Sequence, residues 1–342
     1  MLKVLKKAFM ALALVATVGA AGQASAGILI NGAGATFPYP LYSKWFSEYA
    51  KIDRSVKFNY QSIGSGGGIK QISAQTVDFG ASDKFLSDDE LKGAAGKLIH
   101  IPTVMGAVVV TYNIPGVGKG LKLNSEDVAN IYLGKITMWN DPRIADDNKG
   151  INLPAKPIIV VHRSDGSGTT SIFTDYLSGI NADWAQKVGK GTSVKWPIGL
   201  GGKGNEGVAG QVKTTPYAVG YVELAYAFEN KLPYASLKNK SGFFVEPSIK
   251  STSAAAAGAA RQMPADYRIS LVNQPGKDAY PAVGFTWLLV YEQQKDALKG
   301  KKIVEFLNWS MTKGQKMAAP MLYAPLPPNV VKMVQKTIKT IK

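Results

Sequence analysis

Cysteine is absent from this sequence of 342 residues, and histidine occurs only twice. Without cysteine, neither a disulfide framework nor a lipid attached to a processed cysteine is possible. The two histidines, His100 and His162, stand far apart and match no metal-binding spacing such as HExxH. We therefore expect no metal site and no cofactor.

Long apolar runs are also missing, apart from one near the start of the chain. There a lysine-rich beginning precedes an apolar run over residues 8–21 and the small residues Ala24, Ser25 and Ala26, which is the pattern of a cleavable export signal. A membrane anchor would be longer and would carry a basic flank after the run. The pattern predicts that residues 1–26 are removed and that the remainder is exported to a bacterial periplasm.

Acidic residues are few, since 24 Asp and Glu stand against 40 Lys and Arg, a formal net charge of +16. The lysines are scattered, however, and no run of five or six like charges occurs. No RNA- or DNA-binding module is recognisable either. We expect a solvated basic surface that attracts small anions, and no nucleic-acid partner.

Strand-like and helix-like segments alternate over much of the chain, which is typical of an α/β protein with a largely parallel sheet. Two long β-branched runs, residues 104–112 and 283–291, bracket the middle of the sequence. Such runs are expected where the chain passes between two lobes. They predict a discontinuous domain I, residues 27–107 and 284–342, and an inserted domain II, residues 108–283.

Three segments share one pattern, which is an extended run, a Gly/Ser/Thr-rich turn and the start of a helix. They are residues 32–37 (GAGATF), 64–68 (GSGGG) and 165–170 (DGSGTT). The first turn of a helix has unpaired N–H groups and a partial positive charge, so three such turns that converge would surround a small oxyanion with donors. The pattern predicts an anion-binding site.

The third turn, residues 165–170, has the most side chains and amides nearby that could bind an anion. Arg163 ends a strand, Asp165 follows it, and Ser167, Gly168 and Thr169 supply hydroxyl groups and approachable amides. Arginine suits bidentate contact with an oxyanion, and a neighbouring carboxylate can orient its guanidinium. The alternative is that Asp165 caps the helix and Arg163 lies on the surface. A nucleotide-binding phosphate loop is excluded because no Gly-Lys-Ser/Thr follows.

Asp83 follows another extended segment, and a carboxylate would repel an anion in the same cleft. It becomes favourable when the anion carries a proton, as phosphate does near neutral pH and sulfate does not. Asp83 would then accept that proton in a hydrogen bond and reject sulfate. The alternative for Asp83 is that it caps a turn near Ser87. The alternative for the second glycine-rich turn, residues 64–68, which contains Ser65, is that it is only a flexible connection.

An enzymatic function has little support in the sequence. A serine nucleophile at Ser65 or Ser167 needs a base, and His162 is the only histidine nearby. Neighbouring residues of a strand point to opposite faces, so His162 points away from the ligand if Arg163 faces it. We expect no catalytic residues.

Seven segments resemble the periplasmic phosphate-binding proteins of ABC import systems, the PstS family, and they occur in the same order. They are residues 31–45, 60–72, 77–83, 131–141, 162–170, 195–205 and 218–227. The resemblance implies a two-lobed periplasmic binding protein fold, type II-like, with two mixed sheets flanked by helices and a two-strand hinge. It also implies a monomer that binds inorganic phosphate between its lobes and delivers it to the permease subunits of an ABC importer.

The resemblance also assigns the phosphate-binding residues. It implies Thr36 and the Phe37 amide in the first turn, Ser65 in the second, Asp83 as proton acceptor, Arg163 as charged donor, and Ser167, Gly168 and Thr169 at the third helix start, with Asp165 orienting Arg163. Gly66 departs from many relatives, which have a second serine there. Two rivals stay open: a binder of another oxyanion such as arsenate, and a secreted phosphatase or adhesion protein built on the same fold.

Overall fold

The computed structural model describes residues 27–342, so the predicted export signal, residues 1–26, lies outside the described residues. Eleven strands form in this part of the chain. They are β1 (Ile28–Gly34), β2 (Val56–Ser62), β3 (Phe79–Ser82), β4 (Leu98–Asn113), β5 (Lys122–Leu123), β6 (Ile159–Arg163), β7 (Leu200–Gly202), β8 (Ala218–Glu223), β9 (Ser236–Lys238), β10 (Phe244–Val245) and β11 (Val283–Tyr291).

Thirteen α-helices lie between and after these strands. They are α1 (Tyr39–Ile52), α2 (Ser65–Ser73), α3 (Asp88–Lys92), α4 (Ser125–Tyr132), α5 (Pro142–Asp147), α6 (Gly168–Ile180), α7 (Ala182–Lys187), α8 (Gly204–Thr214), α9 (Leu224–Glu229), α10 (Ile249–Ala259), α11 (Ala297–Trp309), α12 (Gln315–Ala318) and α13 (Pro328–Ile338). Across residues 27–342, no helix has the length and apolar character needed to cross a bilayer.

Eight strands form one mixed sheet in the order β2-β1-β3-β11-β4-β8-β6-β7, and three form a smaller sheet in the order β10-β9-β5. In the large sheet the outer strands pair in parallel at both ends. The central pairs, which involve the two long strands β4 and β11, are antiparallel. The predicted α/β class, with two mixed sheets and flanking helices, is confirmed.

Strand β4 connects the two halves of the large sheet because it changes partner along its length. Its residues Leu98 to Ala107 pair with β11, and Val108 to Asn113 pair with β8. We call the side with β1, β2, β3 and β11 the first lobe, and the side with β6, β7 and β8 the second lobe. The division of the chain into domains at residues 107/108 and 283/284 stays a prediction.

Aromatic contacts hold helices against the sheet in each lobe. In the first lobe, the rings of Phe58 on β2 and Phe306 on α11 have centroids 4.6 Å apart. In the second lobe, Phe173 on α6 stacks on Tyr221 on β8 at 4.3 Å, and both are fully buried. Offset or tilted aromatic pairs add to the stability gained from burial. The Phe173–Tyr221 pair holds α6 against β8, the strand that pairs with β6.

Candidate functional site

The predicted site residues follow the carboxyl ends of parallel strands, the edge at which α/β sheets commonly bind ligands. Strand β1 ends two residues before Thr36, β3 ends directly before Asp83, and β6 ends at Arg163. Ser65 and Gly168 are the first residues of α2 and α6. The fold thus brings helix starts and charged side chains of both lobes to one region.

The glycine-rich turn after β1 is buried at residues 35–37, and three tyrosines hold its backbone. Three consecutive carbonyl oxygens each accept a hydrogen bond from a tyrosine hydroxyl: Ala35 from Tyr60 at 2.7 Å, Thr36 from Tyr226 at 2.5 Å, and Phe37 from Tyr323 at 2.7 Å. The N–H groups of Thr36 and Phe37 have no partner among residues 27–342. Because the carbonyl oxygens are occupied and the amides are free, this turn offers donors to an anion.

Asp83 is the acidic member of the site and is only 3% exposed. Its backbone N–H donates to the Ser65 hydroxyl at 3.1 Å, and its Oδ2 lies 3.4 Å from the same oxygen. Its Oδ1 has no hydrogen-bond partner in the described part of the chain. Burial raises the pKa of Asp83 to about 7, against the opposing effects of the Thr286 hydroxyl and the Arg163 guanidinium. The carboxyl group can therefore accept or donate a proton near neutral pH.

Arg163 forms a bidentate pair with Asp165, which holds the guanidinium in place. Its Nε and Nη2 donate to the two carboxylate oxygens at 2.8 and 2.6 Å. Asp165 also accepts from the Gly204 N–H at 3.0 Å. Burial alone would raise the pKa of Asp165, but the Arg163 guanidinium holds that pKa below its usual range. The Nη1 group lies 3.5 Å from the Thr169 hydroxyl and keeps a proton available for an anion.

The start of α6 adds donors from the second lobe. Ser167 caps this helix, since its hydroxyl oxygen accepts from the Thr170 N–H at 3.0 Å. The N–H groups of Gly168 and Thr169 have no intrahelical partner, as in the first turn of any α-helix. The Ser167 N–H donates to the Thr192 carbonyl at 2.8 Å, so the hydroxyl proton is what Ser167 can offer to a ligand.

The two lobes are in direct contact at this point. A Cβ atom on Gly168 would lie 2.4 Å from the Ser65 hydroxyl oxygen and 2.5 Å from Asp83 Oδ2, so only glycine fits there. The Gly66 N–H of the first lobe donates to the Gly166 carbonyl of the second at 2.8 Å. These contacts bring the predicted residues of both lobes around one small region.

Asn205 belongs to the same region, although no sequence pattern assigned it a role. It is fully buried in the first turn of α8. Its Nδ2 donates to the Thr36 hydroxyl at 2.7 Å and to the Thr169 hydroxyl at 3.0 Å, which links the two lobes. Residues 200–205 are a fourth occurrence of the pattern of a strand, a glycine-rich turn and a helix start. This pattern could have identified Asn205 as a candidate site residue.

The alternative roles considered for two of the residues do not match the structure. Ser87, rather than Asp83, caps the following helix, in a capping box with Glu90. His162 stacks on Trp196 with ring centroids 4.8 Å apart, and its Nδ1 lies 3.0 Å from the carbonyl oxygen of the next residue. Within residues 27–342, no serine hydroxyl is hydrogen-bonded to His162, so no Ser–His pair forms.

Known proteins are similar to this chain over most of its length. Residues 19–313 match the model of the PBP superfamily domain. A phosphate-binding protein PstS from Xylella fastidiosa is 48% identical over 309 residues, which cover 90% of this chain and 84% of that relative. The structure of a periplasmic phosphate-binding protein, PfluDING bound with phosphate, has a TM-score of 0.72 at 24% identity and covers 90% of this chain and 93% of its own. The structure of an ABC-type phosphate transport receptor from Vibrio cholerae has a TM-score of 0.57 at 16% identity. The match covers 87% of this chain and 100% of that one.

Proposed function

The chain belongs to the PBP superfamily and, within it, to the PstS phosphate-binding proteins, and on this basis we propose that it binds inorganic phosphate between its lobes. The observation that carries the proposal is the buried carboxyl group of Asp83 among donors from both lobes. An acceptor in this setting fits an anion that carries a proton, as hydrogen phosphate does. It penalises sulfate, which has no proton to donate.

We assign the roles within the site from the contacts described above. Asp83 accepts a hydrogen bond from the protonated oxygen of the ligand, and Asp165 orients the guanidinium of Arg163. The remaining residues donate hydrogen bonds to the phosphate oxygens. These donors are Thr36, Phe37 and Ser65 from the first lobe and Arg163, Ser167, Gly168 and Thr169 from the second.

We further propose that phosphate is held in the closed form, because its donors come from both lobes. Domain I (27–107 and 284–342) and domain II (108–283) would open about a hinge formed by β4 and β11. The closed monomer would then deliver phosphate to the permease subunits of an ABC importer. The Vibrio cholerae protein of similar fold is an ABC-type phosphate transport receptor, which is consistent with this role. In this proposal the protein acts in the periplasm after removal of residues 1–26 and catalyses no reaction.

Calorimetric titration of phosphate-stripped protein with phosphate, sulfate and arsenate tests the proposal. We expect one phosphate per chain and sulfate binding that is weaker by roughly 100-fold or more. Arsenate also carries a proton, so it is expected to bind. Absence of phosphate binding would contradict the proposal, and steady release of phosphate from a generic ester would favour a phosphatase.

A further inference from the structure

Asn205 uses every hydrogen-bonding group of its side chain at the junction of the lobes. Its Nδ2 donates to the hydroxyl oxygens of Thr36 and Thr169, at 2.7 and 3.0 Å. Its Oδ1 accepts from the Glu223 N–H at 2.9 Å. Because that backbone group can only donate, it determines which end of the amide faces the threonines.

The Asn205 side chain, together with its own backbone N–H at Thr36 and with Arg163 at Thr169, occupies the lone pairs of both threonine hydroxyls. A hydroxyl oxygen has two lone pairs and one proton. Thr36 Oγ1 accepts from Asn205 Nδ2 and also from the Asn205 backbone N–H, at 3.2 Å. Thr169 Oγ1 accepts from Asn205 Nδ2 and lies 3.5 Å from Arg163 Nη1. Each hydroxyl therefore keeps its proton free to donate, and its lone pairs are turned away from an anion.

We propose that Asn205 is a positioning residue that makes the Thr36 and Thr169 hydroxyls obligatory donors toward the bound anion. This inference rests on the proposed function and adds a requirement for closure. Asn205 lies in the second lobe, whereas Thr36 lies in the first, so the Thr36 hydroxyl is oriented only when the lobes meet. Donors that are already oriented bind an anion more strongly, because they need not turn when it arrives.

Two substitutions separate the orientation of the hydroxyls from simple packing. Asn205→Asp keeps the shape of the side chain, but its carboxylate accepts hydrogen bonds from the threonine hydroxyls and adds a negative charge. It is expected to lower phosphate affinity by about 100-fold or more. Asn205→Ala leaves both hydroxyls free to rotate, and the expected loss is about tenfold.

Asn148→Ala is a matched control for the loss of a buried amide. Asn148 is also buried, and its side chain accepts from the Lys122 N–H and donates to the carbonyls of Lys122 and Ile144. These contacts lie outside the cleft. The variant is therefore expected to melt at a lower temperature and to bind phosphate with wild-type affinity.

A double-mutant cycle gives a readout that a merely structural role would not change. Thr36→Val together with Thr169→Val removes the hydroxyls that Asn205 orients. In that background, Asn205→Ala is expected to change phosphate affinity by less than about twofold. Equilibrium dialysis with radiolabelled phosphate measures binding even in the weakest variant.

An equal loss of affinity from Asn205→Ala in both backgrounds would overturn the inference, and so would wild-type affinity in Asn205→Asp. If Asn205→Ala does not fold, Asn205→Ser takes its place in the cycle, because serine is too short to reach both threonines. Failure of the wild-type protein to bind phosphate would refute the proposed function itself, which distinguishes the two failures.

Discussion

Sulfate binding should depend on pH through Asp83. Burial raises the pKa of this carboxyl group to about 7, opposed by the Thr286 hydroxyl and the Arg163 guanidinium. Above this pH the carboxylate repels sulfate, whereas below it the protonated group can donate a hydrogen bond to a sulfate oxygen. Sulfate is the better probe because it stays unprotonated across this range, so that only the protein titrates.

The expected magnitude follows from the protonated fraction of Asp83. With a pKa of about 7, roughly 3% of the carboxyl groups carry a proton at about pH 8.5 and roughly 97% at about pH 5.5. If sulfate binds only the protonated form, its apparent affinity should be about 30-fold higher at the lower pH. Asp83→Asn should remove this dependence, because the amide is neutral and can donate at both pH values. The substitution should weaken phosphate binding less than it weakens the rejection of sulfate, since the amide oxygen still accepts a hydrogen bond from phosphate.

Isothermal titration with sulfate at the two pH values, on the wild type and on Asp83→Asn, measures the effect. Asp127→Asn is the matched control, because Asp127 is another buried carboxyl group, burial raises its pKa to about 6, and it lies on α4 away from the cleft. The control should keep the wild-type pH dependence. A sulfate affinity that is independent of pH in the wild type, or a dependence that survives Asp83→Asn, would refute the reasoning.

Three other outcomes are expected. Arg163→Ala should lower phosphate affinity by about 100-fold or more while cooperative melting is retained, because the charged donor is lost; an unchanged isotherm would exclude Arg163 from the site. Gly168→Ala should weaken phosphate binding at least about tenfold in calorimetry without unfolding the protein, since the new Cβ would lie 2.4 Å from the Ser65 hydroxyl oxygen and the lobes would have to separate. The melting temperature of the phosphate-free protein should fall as the pH rises from about 4 to about 7. The reason is that the folded-state pKa of Asp83 lies above its ordinary value of 3.8, so the stability contributed by the protonated form is lost over this range. Asp83→Asn should show a smaller fall, and identical pH profiles would count against a carboxyl group with a raised pKa.

Local patterns predict much of the cleft because many of its donors stand at helix starts. Ser65, Ser167 and Gly168 lie in glycine-rich turns between a strand and a helix, and such a turn is visible within about six residues of sequence. Asp83 and Arg163 are identifiable for a related reason, since each stands at the end of a strand that leads to the same edge of the sheet. Neighbours in the sequence are enough to position residues of this kind.

The other features of the cleft depend on contacts between distant parts of the chain. Asn205 reaches Thr36 across 169 positions, and the three tyrosines that hold the first turn come from β2, from α9 and from the segment before α13. The Ser167 amide is bound by Thr192, which lies in a loop without a recognisable pattern. Only the assembled fold brings these groups together. The local pattern at residues 200–205 can mark Asn205 as a helix-start residue, but it cannot show that Asn205 contacts Thr36 or which groups hold the turn at residues 35–37.

Diffraction from crystals grown with phosphate would decide whether both lobes bind one anion around Asp83. We predict a single tetrahedral density between the lobes, with Arg163 Nη1 and the N–H groups of Phe37 and Gly168 about 3 Å from its oxygens. One phosphate oxygen should lie within hydrogen-bonding distance of the Asp83 carboxyl group. Phosphate bound at another place, or an Asp83 side chain turned away from it, would contradict the account.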